Sequence, residues 1–357
     1  MKINYLLGAM GMVALLGISA CGDDDPPPKS GISFEVESFE VFESDGTITS
    51  FHPDLQLPGT TSRGKGKDLI VKILLDRPLS ETTILQYSVS GTASRTTTSN
   101  AVSDYALKEG LNTIIGTDKI TIEKGATEAN FIITVYEDYA FEIDDDDNLF
   151  ETVVITLNSV VSGNAELGVQ NVYTLKIKED DSVVFLEWDA GDGTEGDVDM
   201  DLLLFFDNVA IRGSASEGSD YEAMAIPAGF PAGTYGLSYP YYSGSSDDLE
   251  FYSVMFTTTG TLNGNQYVFP SADPLVFVGN YTLANINEWH LTNSPPQVVQ
   301  TLVKNGINYT NISAINEPAS GSRVADADIR FERYKNLKLS DLKEKLNQSS
   351  QTSIFRK

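Results

Sequence analysis

Residues 131–157 read FIITVYEDYAFEIDDDDNLFETVVITL. The two ends, Phe131 to Tyr136 and Thr152 to Leu157, are β-branched and apolar runs of strand composition. From Tyr136 to Glu151 stand the carboxylates Glu137, Asp138, Glu142, Asp144, Asp145, Asp146, Asp147 and Glu151, with no Lys or Arg among them. The middle is therefore an acidic loop at one end of a sheet, between two of its strands. Hard oxygen ligands crowded there suit Ca²⁺, which takes about six to eight oxygens from carboxylates, carbonyls and water. The other reading is a solvated loop kept open by its own repulsion.

Working outward, Asp104 sits in Ser103-Asp104-Tyr105, after a strand-like run from Leu85 to Ala93 that contains Tyr87-x-Val89-x-Gly91-Thr92-Ala93. Asp180-Asp181 close the run Tyr173 to Lys178. The Y-x-V-x-G-T-A run, the later D-Y, the apolar strand ending at Glu137-Asp138, the run from Glu151 to Leu157 and the terminal I-K-E-D-D together resemble a Calx-beta domain over about Ile32 to Asp181. That resemblance implies an immunoglobulin-like, Ca²⁺-binding β-sandwich with its ligands at one end. The family pattern falls here on Glu43, Asp104, Asp138, Glu151, Asp180 and Asp181. The segment from Ala93 to Asp104 is long for that pattern, and Asp144 to Asp147 are additional to it.

Met1 to Ala20 carries one positive charge, at Lys2, and an apolar stretch from Tyr5 to Ile18, shorter than the roughly 20 residues of a spanning helix. It reads as a signal peptide. Ile18-Ser19-Ala20 precede Cys21 as a lipobox, and the chain's sole cysteine stands where diacylglycerol would be attached. The acylated chain then has no thiol left for a disulfide or for catalysis. Gly22-Asp23-Asp24-Asp25 resembles the acidic tag of surface-displayed Bacteroidetes lipoproteins, and Pro26-Pro27-Pro28-Lys29-Ser30 follows as a stiff spacer. The expected location is the outer membrane, anchored by lipid at Cys21 and facing outward at the cell surface.

Strand-like alternation with Gly, Asn, Asp and Ser between runs recurs along the chain, and helical periodicity is nearly absent. The expected fold is all-β, with two tandem antiparallel sandwiches: a signal peptide (1–20), a tether (21–31), a Calx-beta-like sandwich (32–181), a second, jelly-roll-like sandwich (182–334) and a tail (335–357). A new strand, Val183 to Trp188, starts directly after Asp180-Asp181-Ser182, so the junction is short and domain motion restricted, with metal on the acidic pair stiffening it. In the second body, Trp188-Asp189, the D-x-D run at Asp197, Asp199 and Asp201, and Gly233-Thr234-Tyr235-Gly236-Leu237 resemble in part the pre-peptidase C-terminal type of sandwich. On a strand the three aspartates would share one face about 7 Å apart, which suits either a second Ca²⁺ or plain solvation. The run is not an EF-hand, because Leu202 holds the position that needs glycine.

A net charge of −27, from 51 acids against 24 bases, disfavours a nucleic-acid partner. Gly59 to Gly66 nearly spells a phosphate-binding loop, but Gly66 stands where a Ser or Thr is needed and no βαβ unit surrounds it. His52 and His290 are isolated, so no catalytic triad or zinc motif forms in the sequence. Tyr239, Tyr241 and Tyr242, beside Ser243-Gly244-Ser245-Ser246, offer either stacking faces for a ligand or core filling, and the ligand-facing surface is expected on the second body with these three in it. The expectation is a non-enzymatic lipoprotein for adhesion or for capture of an extracellular glycan or protein. The alternative is a surface glycan hydrolase working through a carboxylate pair.

Overall fold

Strand alternation builds the first half of the chain, and the result is seen in a computed structural model. The structure describes residues 27–43, 66–95, 104–109, 112–113, 118–137, 141, 148–189, 198–207, 209–214, 221–244, 248–266, 275–282, 300–310, 312 and 344. The strands of this half are β1 (Ser30–Phe34), β2 (Ser38–Phe42), β3 (Lys67–Leu75), β4 (Thr83–Ser90), β5 (Tyr105–Glu109), β6 (Asn112–Thr113), β7 (Lys119–Ile122), β8 (Glu128–Val135), β9 (Phe150–Ser162), β10 (Ala165–Leu167) and β11 (Val172–Lys178). They form two sheets, in the orders β10-β1-β3-β8-β5-β6 and β2-β11-β9-β4-β7. Each strand sends every second side chain inward. Val71 and Ile73, Phe131, Ile133 and Val135 from one sheet therefore meet Leu85 and Tyr87, Val153, Ile155 and Leu157, and Leu175 and Ile177 from the other. Each such side chain contributes about 1.5–3 kcal/mol on burial.

Glu35 to Glu37 carry the chain from β1 in one sheet to β2 in the other. There β1 pairs with β10, and β2 with β11, in parallel. The expected antiparallel sandwich is thus parallel at these two pairings. Gly91, in the Y-x-V-x-G-T-A run, ends β4 at a φ of +124°, and a Cβ there would lie 2.0 Å from the Thr152 carbonyl oxygen. Only glycine permits that approach, which ties Thr92 and Ala93 to Thr152 on β9.

The second half contributes β12 (Ser182–Asp189), β13 (Asp199–Met200), β14 (Leu202–Phe206), β15 (Val209–Ser214), β16 (Tyr221–Ile226), β17 (Gly233–Ser238), β18 (Tyr241–Ser243), β19 (Asp248–Thr257), β20 (Leu275–Thr282), β21 (Gln300–Asn305) and β22 (Asn308–Thr310). A four-stranded sheet, β16-β12-β19-β20, faces a five-stranded one, β15-β14-β17-β21-β22, and β13 pairs with β18. A separate core lies between them, including Val184, Leu186, Trp188, Leu204, Leu237, Phe251 and Leu302. The chain is an all-β tandem of sandwiches.

Tyr239 and Tyr241 belong to that second core, at 0% and 5% exposure, which corrects their expected place on a ligand-facing surface. The reason is phase: they continue the inward row of Tyr235 and Leu237 across Pro240 into β18. The Tyr239 hydroxyl donates to Gln300 Oε1 at 2.6 Å and lies 2.7 Å from Ser253 Oγ. Burial pushes the Tyr241 hydroxyl up from its ordinary pKa as well. The Tyr242 side chain lies outside the described residues.

Candidate metal centre

At one end of the first sandwich the inward rows run out of apolar residues and continue in acid. On β8, Phe131, Ile133 and Val135 are followed in phase by Glu137, and on β11 Leu175 and Ile177 are followed by Glu179. Val41 on β2 is followed by Glu43, and Val153 on β9 is preceded by Glu151. A pleated strand has no choice about where its next odd side chain points. The core is thereby capped by a layer of carboxylates. Glu43, Glu137, Glu179, Asp180 and Asp181 are buried to 3% exposure or less, and Asp104 to 1%.

Asp104 enters from the start of β5. Its carboxylate accepts from the Ser94 amide and, at 3.1 Å, from Ser94 Oγ, while its carbonyl accepts from the Tyr136 amide at 2.8 Å. The Thr92 and Ala93 contacts with Thr152 place Ser94 for that role. Burial, and then the hydrogen bond and charge of neighbouring Glu151, push Asp104 up to a pKa of about 7 against the Ser94 donors. Around the junction, Glu179 Oε1 accepts from the Asp181 amide at 2.6 Å. Glu137, Asp180 and Asp181 each present a carboxylate oxygen within 4.8 Å of the others. Among the described residues this is the sole three-ligand group of that closeness.

The donor set is all oxygen, which matches a hard cation and not the nitrogen and sulphur sites of softer metals. Oxygens on opposite sides of one Ca²⁺ stand about 4.8 Å apart, twice its usual bond length, so one ion can span the group. Glu151 meets Asp104 through a side-chain hydrogen bond, while its Oε2 is buried with no hydrogen-bond partner, a costly state for a carboxylate oxygen. These residues fit calcium.

Of the expected ligands, Asp180 and Asp181 come together, Asp104 and Glu151 adjoin each other, and Glu43 lies at the same end, on the inward row of β2. Asp138 and Asp144 to Asp147 lie outside the described residues, as do Cys21 and Asp197. Glu137 and Glu179 were not among the expected ligands, although the phase of Phe131, Ile133 and Val135 points to Glu137 and not to Asp138. Asp199 and Asp201 are buried at 8% and 7% exposure, with Asp201 donating its amide to the Pro240 carbonyl at 2.9 Å. In the pairing of β13 with β18 the register shifts between Asp199 and Met200, with Tyr242 of β18 as the extra residue.

No family model matches the chain, and no curated protein matches it. Similar solved structures include the apo form of the Calx CBD1 domain, with 20% identity over 43% of this chain and 99% of that one, at a TM-score of 0.26. Another is the calcium binding domain CBD12 of CALX1.1, with 13% identity over 59% of this chain and 80% of that one, at a TM-score of 0.25. A protein of unknown function from Bacteroides ovatus shares 10% identity over 71% of this chain and 89% of its own, at a TM-score of 0.28. At these values the likeness says nothing of what the chain binds.

Proposed function

We propose that the first sandwich binds Ca²⁺ at its acid layer, and that the chain is a lipid-anchored, cell-surface binding protein without catalytic activity, serving adhesion or the capture of a glycan or protein. The observation that carries the calcium reading is the buried group of Glu137, Asp180 and Asp181, each with an oxygen within 4.8 Å of the others. Asp104 and Glu151, which adjoin each other, lie at the same end of the sandwich. The ion would neutralise a layer that otherwise keeps several carboxylates out of water at high cost. The lipobox at Cys21 and the acidic tag after it support the anchored, outward-facing placement. With Tyr239 and Tyr241 in the core, the capture surface belongs to other residues.

The test is calcium titration of the mature chain by calorimetry, with thermal melts in chelator and in millimolar Ca²⁺. At free Ca²⁺ near 100 times the dissociation constant the ion stabilises the fold by roughly 2.7 kcal/mol, several degrees for a domain of this size. Glu137→Gln should abolish both the heat and the shift, whereas Asp23→Ala in the tether should leave them. Identical melts with and without the ion return the acid layer to a purely structural role.

A further inference from the structure

The acid layer is built by the first sandwich but gripped by the second. The turn after β16 donates the Ala228 amide to Asp181 Oδ1 at 2.7 Å and the Gly229 amide to Glu137 Oε2 at 3.2 Å. Thr258, just past β19, donates its hydroxyl to the Asp181 carbonyl at 3.0 Å. Two of the three clustered carboxylates thus take their orientation from groups some 50 to 90 residues away. We propose that the turn Pro227 to Phe230 is part of the calcium site, so that ion binding and docking of the two sandwiches form one coupled equilibrium. The proposal rests on the calcium reading above.

The turn is itself held from behind. Lys304 on β21 is 1% exposed, and its ammonium donates to the carbonyls of Ala228 at 2.6 Å, Phe230 at 3.0 Å and Gly306 at 2.7 Å. The peptide group joining Ala228 to Gly229 therefore has an ammonium on its oxygen and the Glu137 carboxylate on its N–H. A peptide polarised at both ends makes both hydrogen bonds stronger than either would be alone. It also links the position of Glu137 to the core of the second sandwich. Gly229 is required by space: a Cβ there would stand 2.7 Å from Glu137 Oε2 and 2.9 Å from its Cγ. Any side chain at this position drives the carboxylate out of the place the turn assigns to it.

Linkage then works in both directions. An ion that fixes Glu137 and Asp181 holds the acceptors of the turn, and a well-formed turn presents ligands already oriented for the ion.

The experiment is hydrogen exchange of the full mature chain in chelator and in millimolar Ca²⁺, together with calcium titration of two variants. Exchange of the Ala228, Gly229 and Phe230 amides should slow at least tenfold with calcium, although these residues belong to the other sandwich. Gly229→Ala should weaken calcium binding tenfold or more. Thr258→Val, which keeps shape and removes one hydroxyl donor, should weaken it about fivefold, the equivalent of one hydrogen bond, and it serves should the alanine variant fail to fold. Wild-type calcium binding that both variants retain in full, or exchange at Ala228 to Phe230 indifferent to the ion, overturns the coupling and leaves the site standing. Absence of calcium binding by the wild type overturns both.

Discussion

Without calcium, the first sandwich should become less stable as the pH rises from 5 to 8, and Asp104 should account for a measurable share of the loss. Asp104 is 1% exposed and its folded-state pKa stands at about 7, raised by burial and by Glu151 from the ordinary 3.8. Between those two values the folded chain holds a proton that the unfolded chain has released. The stabilisation from that proton is complete below 3.8 and is lost as the pH climbs through 7. At 1.36 kcal/mol per unit for one proton, the change from pH 5 to pH 8 comes to about 2.5 kcal/mol, or about 5–10 °C in melting temperature. The measurement is urea unfolding in chelator at each pH, for the wild type and for Asp104→Asn, which keeps the shape and carries no charge. The difference in slope between the two isolates Asp104 from the general repulsion of a chain with net charge −27. Millimolar Ca²⁺ should restore the stability at pH 8, since the ion takes over from the proton in neutralising the layer. A wild-type stability that is flat or rising across this range, or an Asn variant with the wild-type slope, refutes the raised pKa of buried Asp104 as the cause of the loss.

The second sandwich carries its own test at Tyr239. Tyr239→Phe keeps the ring against Phe251 but leaves buried Gln300 without the hydroxyl donor, which should cost about 1–3 kcal/mol in urea unfolding. Tyr239→Ala should cost about 3–5 kcal/mol, and a Phe variant as stable as wild type would show that the hydroxyl adds nothing to the core. Cys21→Ser should release the protein from the membrane fraction and abolish incorporation of labelled palmitate, because the two or three acyl chains of a bacterial lipoprotein hold far more firmly than one. A wild-type chain that takes up no palmitate removes the lipid anchor.

Much of the first sandwich is legible in the chain. The strands flanking the acidic segment, the glycine of the Y-x-V-x-G-T-A run and the aspartate pair at the junction all act through near neighbours, and each appears where the pattern places it. Glu137 was legible too, but through the phase of Phe131, Ile133 and Val135 and not through the density of charge around it. The tyrosines show the same lesson from the other side: three aromatics beside a Gly/Ser loop suggest a surface, while their step from Tyr235 and Leu237 sends Tyr239 and Tyr241 inward. Composition describes a segment, whereas phase decides which way each residue faces.

The grip on the acid layer could not be read this way. Pro227-Ala228-Gly229-Phe230 carries no charge and no ligand side chain, and it acts through backbone amides that every residue but proline possesses. Lys304 stands between Val303 and Asn305 with nothing nearby to mark it as buried, yet it closes the turn from behind. Sequence alone determined the strands, their inward rows and the acid that ends them, because alternation is enforced by the stereochemistry of successive residues. Which distant amides and which lysine meet that acid was decided only when two sandwiches packed, because backbone donors and buried charge acquire a role from their surroundings and not from their identity.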